Sequence, residues 1–225
     1  MSDANGFRYS TRWPARNVPV ICLMPLAAWF CLCASSTSAA PRDPKVAAAV
    51  RQAAKYIAAN AKDIESAEEG LAAYALLKAE LRPTDPAVKL LLKKVLAKFK
   101  GGRYRPPVHH TYEAGVDLMA LEAADPKLYR TKIQGIVQYI ASTNHQGGQW
   151  DYPGGQSGGD TSITQYGVLG LWAAARAGVA VPPQLWDKAA GWHVRTQRKD
   201  GGFAYQPAGS SEPSTSTMSV AGTSS

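Results

Sequence analysis

From Ser162 to Ala175 the chain reads Ser-Ile-Thr-Gln-Tyr-Gly-Val-Leu-Gly-Leu-Trp-Ala-Ala-Ala, with no strongly polar side chain between Gln165 and Arg176. A helix built from that stretch is apolar on every face, so every face must be covered by other elements. The same pattern returns before and after it. Displacing the sequence by 52 positions sets Gly115-Val116 on Gly167-Val168, these on Ser219-Val220, and Gly170 on Gly222. Glycine pairs followed by an aromatic recur as Gly101-Gly102-Arg103-Tyr104, Gly147-Gly148-Gln149-Trp150 and Gly201-Gly202-Phe203, each ahead of an apolar stretch. A period of this length with one helix pair per period is the mark of a helical repeat.

The intervening stretches are one-sided. Val46, Val50, Ala53 and Ile57 recur at helical spacing after Pro44, with Lys45, Arg51 and Lys55 turned away. Val88, Leu91, Leu92, Val95 and Phe99 form a second stripe behind Asp85, and Tyr129, Ile133, Ile136, Val137 and Ile140 a third. Leu185, Trp186, Ala189, Ala190 and Trp192 supply a fourth after Pro182-Pro183. Ser66 with Glu69 three residues on reads as a capping box for the apolar stretch 70–77, and Asp160 as the N-cap of the stretch that follows it. One-sided helices alternating with all-apolar ones predict two concentric layers, wet-faced helices outside and greasy ones inside, joined as successive hairpins. The expected class is all-α: an α/α toroid of double-layered helical hairpins, an incomplete ring of about four. The fourth inner helix is expected near Ser216, and residues 210–217 as a loop or frayed end.

The first 39 residues carry Arg8, Arg12 and Arg16 ahead of an apolar run from Val18 to Ala34, then small residues to Ala39. That order predicts a signal peptide over residues 1–39 with a mature domain over 44–225, exported to a periplasmic or extracellular space. An uncleaved anchor, the only expected route to a membrane, is the alternative. Cys22, Cys31 and Cys33 all fall inside this segment, so the expected domain has neither a disulfide nor a thiolate metal site. Of the formal charge of +8, +2 belongs to the leader. The rest is scattered apart from Lys89, Lys93, Lys94, Lys98 and Lys100, read as a solvated helix face rather than a nucleic-acid surface.

Two polar or aromatic groups stand out. Glu113 and Asp117 lie one turn apart on a helix opening at Thr111, with His109 and His110 approaching from the preceding loop. Such a set suits a divalent ion or acid-base work, against the plainer reading of a hydrogen-bonded helix entrance. Trp150, Tyr152, Tyr166 and Trp172 suit an apolar cavity wall, against the plainer reading of repeat-core aromatics. The candidate ligand-binding residues are therefore His109, His110, Glu113, Asp117, Trp150, Tyr152, Asp160 and Tyr166. No metal ligand set and no cofactor motif is assigned.

At its glycine-aromatic loops the chain resembles the squalene-cyclase and protein-prenyltransferase repeat family, whose glutamine-glycine-aromatic motif is matched by Gln146, Gly148 and Trp150 and by Gln197, Gly201 and Phe203. The Tyr104 loop lacks the glutamine. The resemblance runs from about Lys45 to the end of the chain and implies the toroid. It also implies chemistry whose residues are missing: Asp160 stands alone where the cyclases have an Asp-rich acid motif, and the domain has no cysteine for the transferases' zinc. No catalytic residue is carried over. The expectation is a binding or scaffolding module for an apolar, isoprenoid or polymeric ligand, with self-association through the open end of a half ring. The alternative is a truncated cyclase-like or prenyltransferase-like enzyme.

Overall fold

The computed structural model describes residues 43–65, 67–155, 158–207 and 211–225. The expected signal segment, residues 1–39, and the capping residue Ser66 lie outside the described residues. From residue 42 onward the chain forms one compact unit. Among the described residues it holds eight helices and one two-stranded hairpin, so the fold is all-α.

Four helices are one-sided: α1 (Pro44–Ala59), α3 (Pro86–Ala97), α5 (Arg130–Ser142) and α7 (Pro183–Thr196). Between them come α2 (Glu69–Lys78), α4 (Thr111–Ala124), α6 (Thr161–Arg176) and α8 (Ser216–Ser224). The second set packs in chain order, α2 on α4, α4 on α6 and α6 on α8, and the first set flanks that row. The starts are chemically fixed. Asp43, Asp85, Asp160 and Thr215 each accept a backbone N–H of the helix they precede, which satisfies donors that the helix itself leaves unpaired.

Close approach within the row depends on glycine. A side chain on Gly70 would strike Asp117, and one on Gly115 would strike the Tyr166 carbonyl, so the N-terminal halves of α2, α4 and α6 lie side by side. The loop aromatics also use glycine. Trp150 and Phe203 lie against Gly167 and Gly222, while their backbone N–H groups donate to the hydroxyls of Thr164 and Ser219, one turn earlier on the same helices. By this shared role Gly222 corresponds to Gly167, not to Gly170 as the 52-residue displacement suggested. Part of the offset arises between aromatic and helix, because Phe203 and Ser219 stand 16 positions apart where Trp150 and Thr164 stand 14 apart. Around the first glycine pair the chain forms a tight hairpin of β1 (Phe99–Lys100) and β2 (Arg103–Tyr104), with Phe99 opposite Tyr104. Positive φ at Gly101 and Gly102, 56° and 75°, makes the turn.

Several expectations are corrected. The stripe of α1 is only partly used: Val46 is 56% exposed and Val50 37%, and burial falls instead on Ala54. Helix α6 is not covered on every side, because Trp172 is 51% exposed. The Arg176 guanidinium, held by Glu122, lies 3.9 Å from that indole's centroid and shields it in part. Within the expected frayed segment, Thr215 caps and Ser216 opens a helix.

Candidate functional site

The expected set of His109, His110, Glu113 and Asp117 separates into two places. Glu113 and Asp117 share one face of α4, as their spacing requires, and both are fully buried. What they face is Lys98, the residue after α3, whose ammonium lies 2.9 Å from Asp117, 3.1 Å from Glu113 and 3.3 Å from Glu69. Lys98 is therefore not on a solvated face. Its neighbour Lys94 is also committed, donating to the carbonyls of Lys62 at 2.8 Å and Ile64 at 2.6 Å. Glu69, expected to close a capping box, belongs to this ion cluster instead.

One ammonium among three carboxyl groups is a crowded charge arrangement. Burial alone would pull the Lys98 pKa down, but Asp117, then Glu113 and Glu69, outweigh it and the pKa is raised. Burial pushes Asp117 up to about 6, against the opposing pull of Lys98 and of the Tyr104 hydroxyl, which donates to Asp117 at 2.6 Å. Tyr104 in turn is driven well above its ordinary value by burial and by the carboxylate it serves. The cluster thus binds α2, the end of α3, β2 and α4 together. It leaves Glu113 and Asp117 facing a resident cation, and among the described residues no group of His, Cys, Asp and Glu side chains is arranged to hold a metal ion.

Glu113 carries the cluster's influence outward. Its second carboxylate oxygen accepts the backbone N–H groups of Val108 and His109, fixing the loop before α4. That loop presents His109 at the surface, where its ring meets Tyr112 at 6.1 Å and Tyr152 at 6.2 Å, each at 83°. Tyr112 stands edge-on to Tyr166 at 4.5 Å. Glu68, His109, Tyr112 and Tyr152 line a hollow of about 190 Å³. Tyr152 also borders a wider cleft of about 430 Å³ that includes His110, Thr143, His145 and Asp151.

The candidate aromatics divide similarly. Tyr152 and Tyr166 reach this region, but Trp150 does not: it is fully buried, and its indole N–H donates to the Ile140 carbonyl at 2.8 Å. Trp172 stands on α6 beside Arg176, near the helix's other end. Asp160 is a cap, its carboxylate accepting the Ile163 N–H at 2.9 Å, and burial lifts its pKa to about 6. It is 1% exposed, which keeps it from being a wall of the cleft. Sequence reading missed Lys98, Glu68 and Tyr112. For Lys98 a signal existed: it continues the buried series Leu91 and Val95 at helical spacing, where a lysine needs an explanation. For Glu68 and Tyr112 there was none, because the hollow joins three distant stretches.

A larger hollow, about 700 Å³, lies elsewhere, between α3 and the start of α5, and shares no residue with the expected set. Among the described residues no helix is long and apolar enough to cross a membrane. Compared with known proteins, the chain matches no family model, no curated protein and no solved structure.

Proposed function

We propose that this chain is a binding module of the α/α-toroid repeat type, related to the squalene-cyclase and prenyltransferase repeats, and that it holds its ligand where the N-terminal halves of α2, α4 and α6 meet. The observation that carries this reading is the ring cluster of His109, Tyr112, Tyr152 and Tyr166 beside two adjoining hollows, at helix starts held rigid from behind by Lys98. Aromatic side chains with a few convergent polar groups in a concavity are the usual makeup of a ligand site. The toroid assignment is supported by the alternation of one-sided and buried helices and by the matching roles of Trp150 with Gly167 and Phe203 with Gly222. Gln197 adds to it by donating to the Gly201 carbonyl at 2.9 Å, closing the loop that carries the family-like motif. We further propose export, on the order of charged, apolar and small residues in 1–39, and self-association through the open end of the half ring.

A catalytic reading has less behind it. Asp160, the one carboxyl with a place in the family's acid motif, spends one oxygen on its own helix. Glu113 and Asp117 are taken by Lys98.

The test is a two-dimensional NMR titration of the isotope-labelled protein with a panel of a farnesyl alcohol, a cello-oligosaccharide and choline. Shifts confined to residues 109–112, 151–155 and 166 with any one of these support the site. Shifts centred on the hollow between α3 and α5, or no shift with any of the three, overturn it.

A further inference from the structure

We infer that the smaller hollow, walled by His109, Tyr112 and Tyr152 and closed by the Glu68 carboxylate, is a receptor for a quaternary or methylated ammonium group. This rests on the binding-module reading and names the ligand chemistry of the same site. Three features of the hollow select such a group.

The first is size. At about 190 Å³ the hollow falls below the several hundred Å³ typical of sites that take a whole drug-sized molecule. It suits one compact functional group, with the rest of the ligand passing over Tyr152 into the wider cleft beside it.

The second is the walls. His109 stands at 83° to both Tyr112 and Tyr152, so the three rings form box corners rather than a stack. A stack has its faces filled by its own members, whereas a box leaves ring surface for an occupant. The face of an aromatic ring is electron-rich and attracts a cation, most effectively a large, weakly hydrated one that sheds water cheaply.

The third is charge. Glu68 is exposed at the start of α2 and makes no side-chain capping bond, so its carboxylate is not spent on the helix. Asp151 borders the wider cleft, and among the described residues no lysine or arginine lines either hollow. The positive end of α6 is already answered by Asp160, and Glu113 adds a carboxylate in the first turn of α4. Consistent with a negative surround, the Tyr112 hydroxyl is pushed up to about 12 by burial and then by Tyr166 and Glu68, and Tyr152 is raised by burial and then by Asp160. A phosphate or diphosphate group would meet the Glu68 and Asp151 carboxylates here, with no lysine or arginine among the described lining residues to receive it.

The test compares choline with 3,3-dimethylbutan-1-ol, which replaces the quaternary nitrogen by carbon and keeps the shape. Both are titrated at pH 8 into the full chain and into Glu68→Gln and Tyr152→Leu, following the amides of residues 109–112 and 152. Both substituted positions are exposed, and an unchanged spectrum elsewhere verifies that each variant folds. Choline is expected to bind roughly tenfold more tightly than its uncharged isostere. Glu68→Gln is expected to erase most of that preference without altering binding of the isostere, and Tyr152→Leu to weaken choline roughly tenfold. Equal or tighter binding of the isostere, an unchanged preference in Glu68→Gln, or no choline-induced shift at these amides would overturn the inference. In each of those cases a response of the same amides to the farnesyl or oligosaccharide probe leaves the binding-module reading standing, while silence to all probes removes both.

Discussion

The indole of Trp150 lies so near Gly167 that a methyl group placed on the glycine would come within 3.0 Å of the ring. The ring has no room to retreat, being fully buried and tied through its N–H to the Ile140 carbonyl. Replacing a glycine within a helix by alanine ordinarily stabilises by up to ~1 kcal/mol. At Gly167 the clash is expected to reverse the sign, for a net loss of ~1–2 kcal/mol typical of mild overpacking. Gly191→Ala is the control: its new methyl would meet only the far end of the exposed Arg195 side chain, at 3.1 Å. Urea denaturation should show Gly167→Ala less stable than the parent chain and Gly191→Ala equal or more stable. The opposite order would mean that the ring does not brace α6.

How far such relationships could be read from the sequence depends on whether they are periodic. The buried stripe of α5, Ile133, Ile136, Val137 and Ile140, repeats at helical spacing and was legible. So was Asp160, whose place before an apolar run has one common use. The ion cluster was misread for a physical reason. Lys89, Lys93 and Lys94 do lie on the wetter sides of α3, and Lys98 was grouped with them although it continues the buried series Leu91 and Val95 at helical spacing. The carboxyl groups Glu113 and Asp117 were noticed because an apolar helix does not tolerate them without a partner, but the partner was sought among nearby histidines. The histidines instead supply a surface ring and the lining of a cleft, through a loop that Glu113 holds by its backbone.

Lys98 is expected to be the most costly lysine in the chain to remove. Lys98→Met keeps most of the length and apolar stem, but leaves Glu69, Glu113 and Asp117 without their shared cation. Breaking a buried ion pair from one side costs ~3–5 kcal/mol, and a loss in that range is expected by chemical denaturation. Lys93→Met, at an exposed position of the same run, should change stability by no more than ~0.5 kcal/mol. The loop held by Glu113 is expected to loosen too, so amide exchange at Val108 and His109 should accelerate in Lys98→Met.

His193 gives the protein a loss of stability in mild acid. Its ring is buried between Trp192 at 4.9 Å and Phe203 at 5.7 Å, and burial lowers its pKa from 6.5 to about 4. The unfolded chain therefore takes up a proton that the folded one refuses. The contribution is fully present above pH 6.5 and is lost as pH falls toward 4, by at most ~3 kcal/mol. In His193→Phe this acid-side loss should be absent, so the variant's stability relative to the parent should rise as the pH is lowered from 7 to 4.5. A parent and variant with parallel pH profiles would contradict the buried, neutral histidine.

Asp117 acts in the other direction over nearly the same range, and a variant separates the two. Its pKa is raised from 3.8 to about 6, so the folded state keeps a proton that the unfolded state has already released. Below about pH 4 both states are protonated and nothing is lost. As pH climbs from 4 to 6 the buried group must ionise in the fold, and stability falls by at most ~3 kcal/mol on this account. Asp117→Asn cannot ionise and leaves Lys98 with Glu69 and Glu113. The parent's stability relative to the variant should therefore be greatest near pH 4 and shrink steadily toward pH 6.5. If the difference instead grows with pH, the attraction of Lys98 outweighs the cost of burial at Asp117, and the carboxyl is stabilised in its charged form.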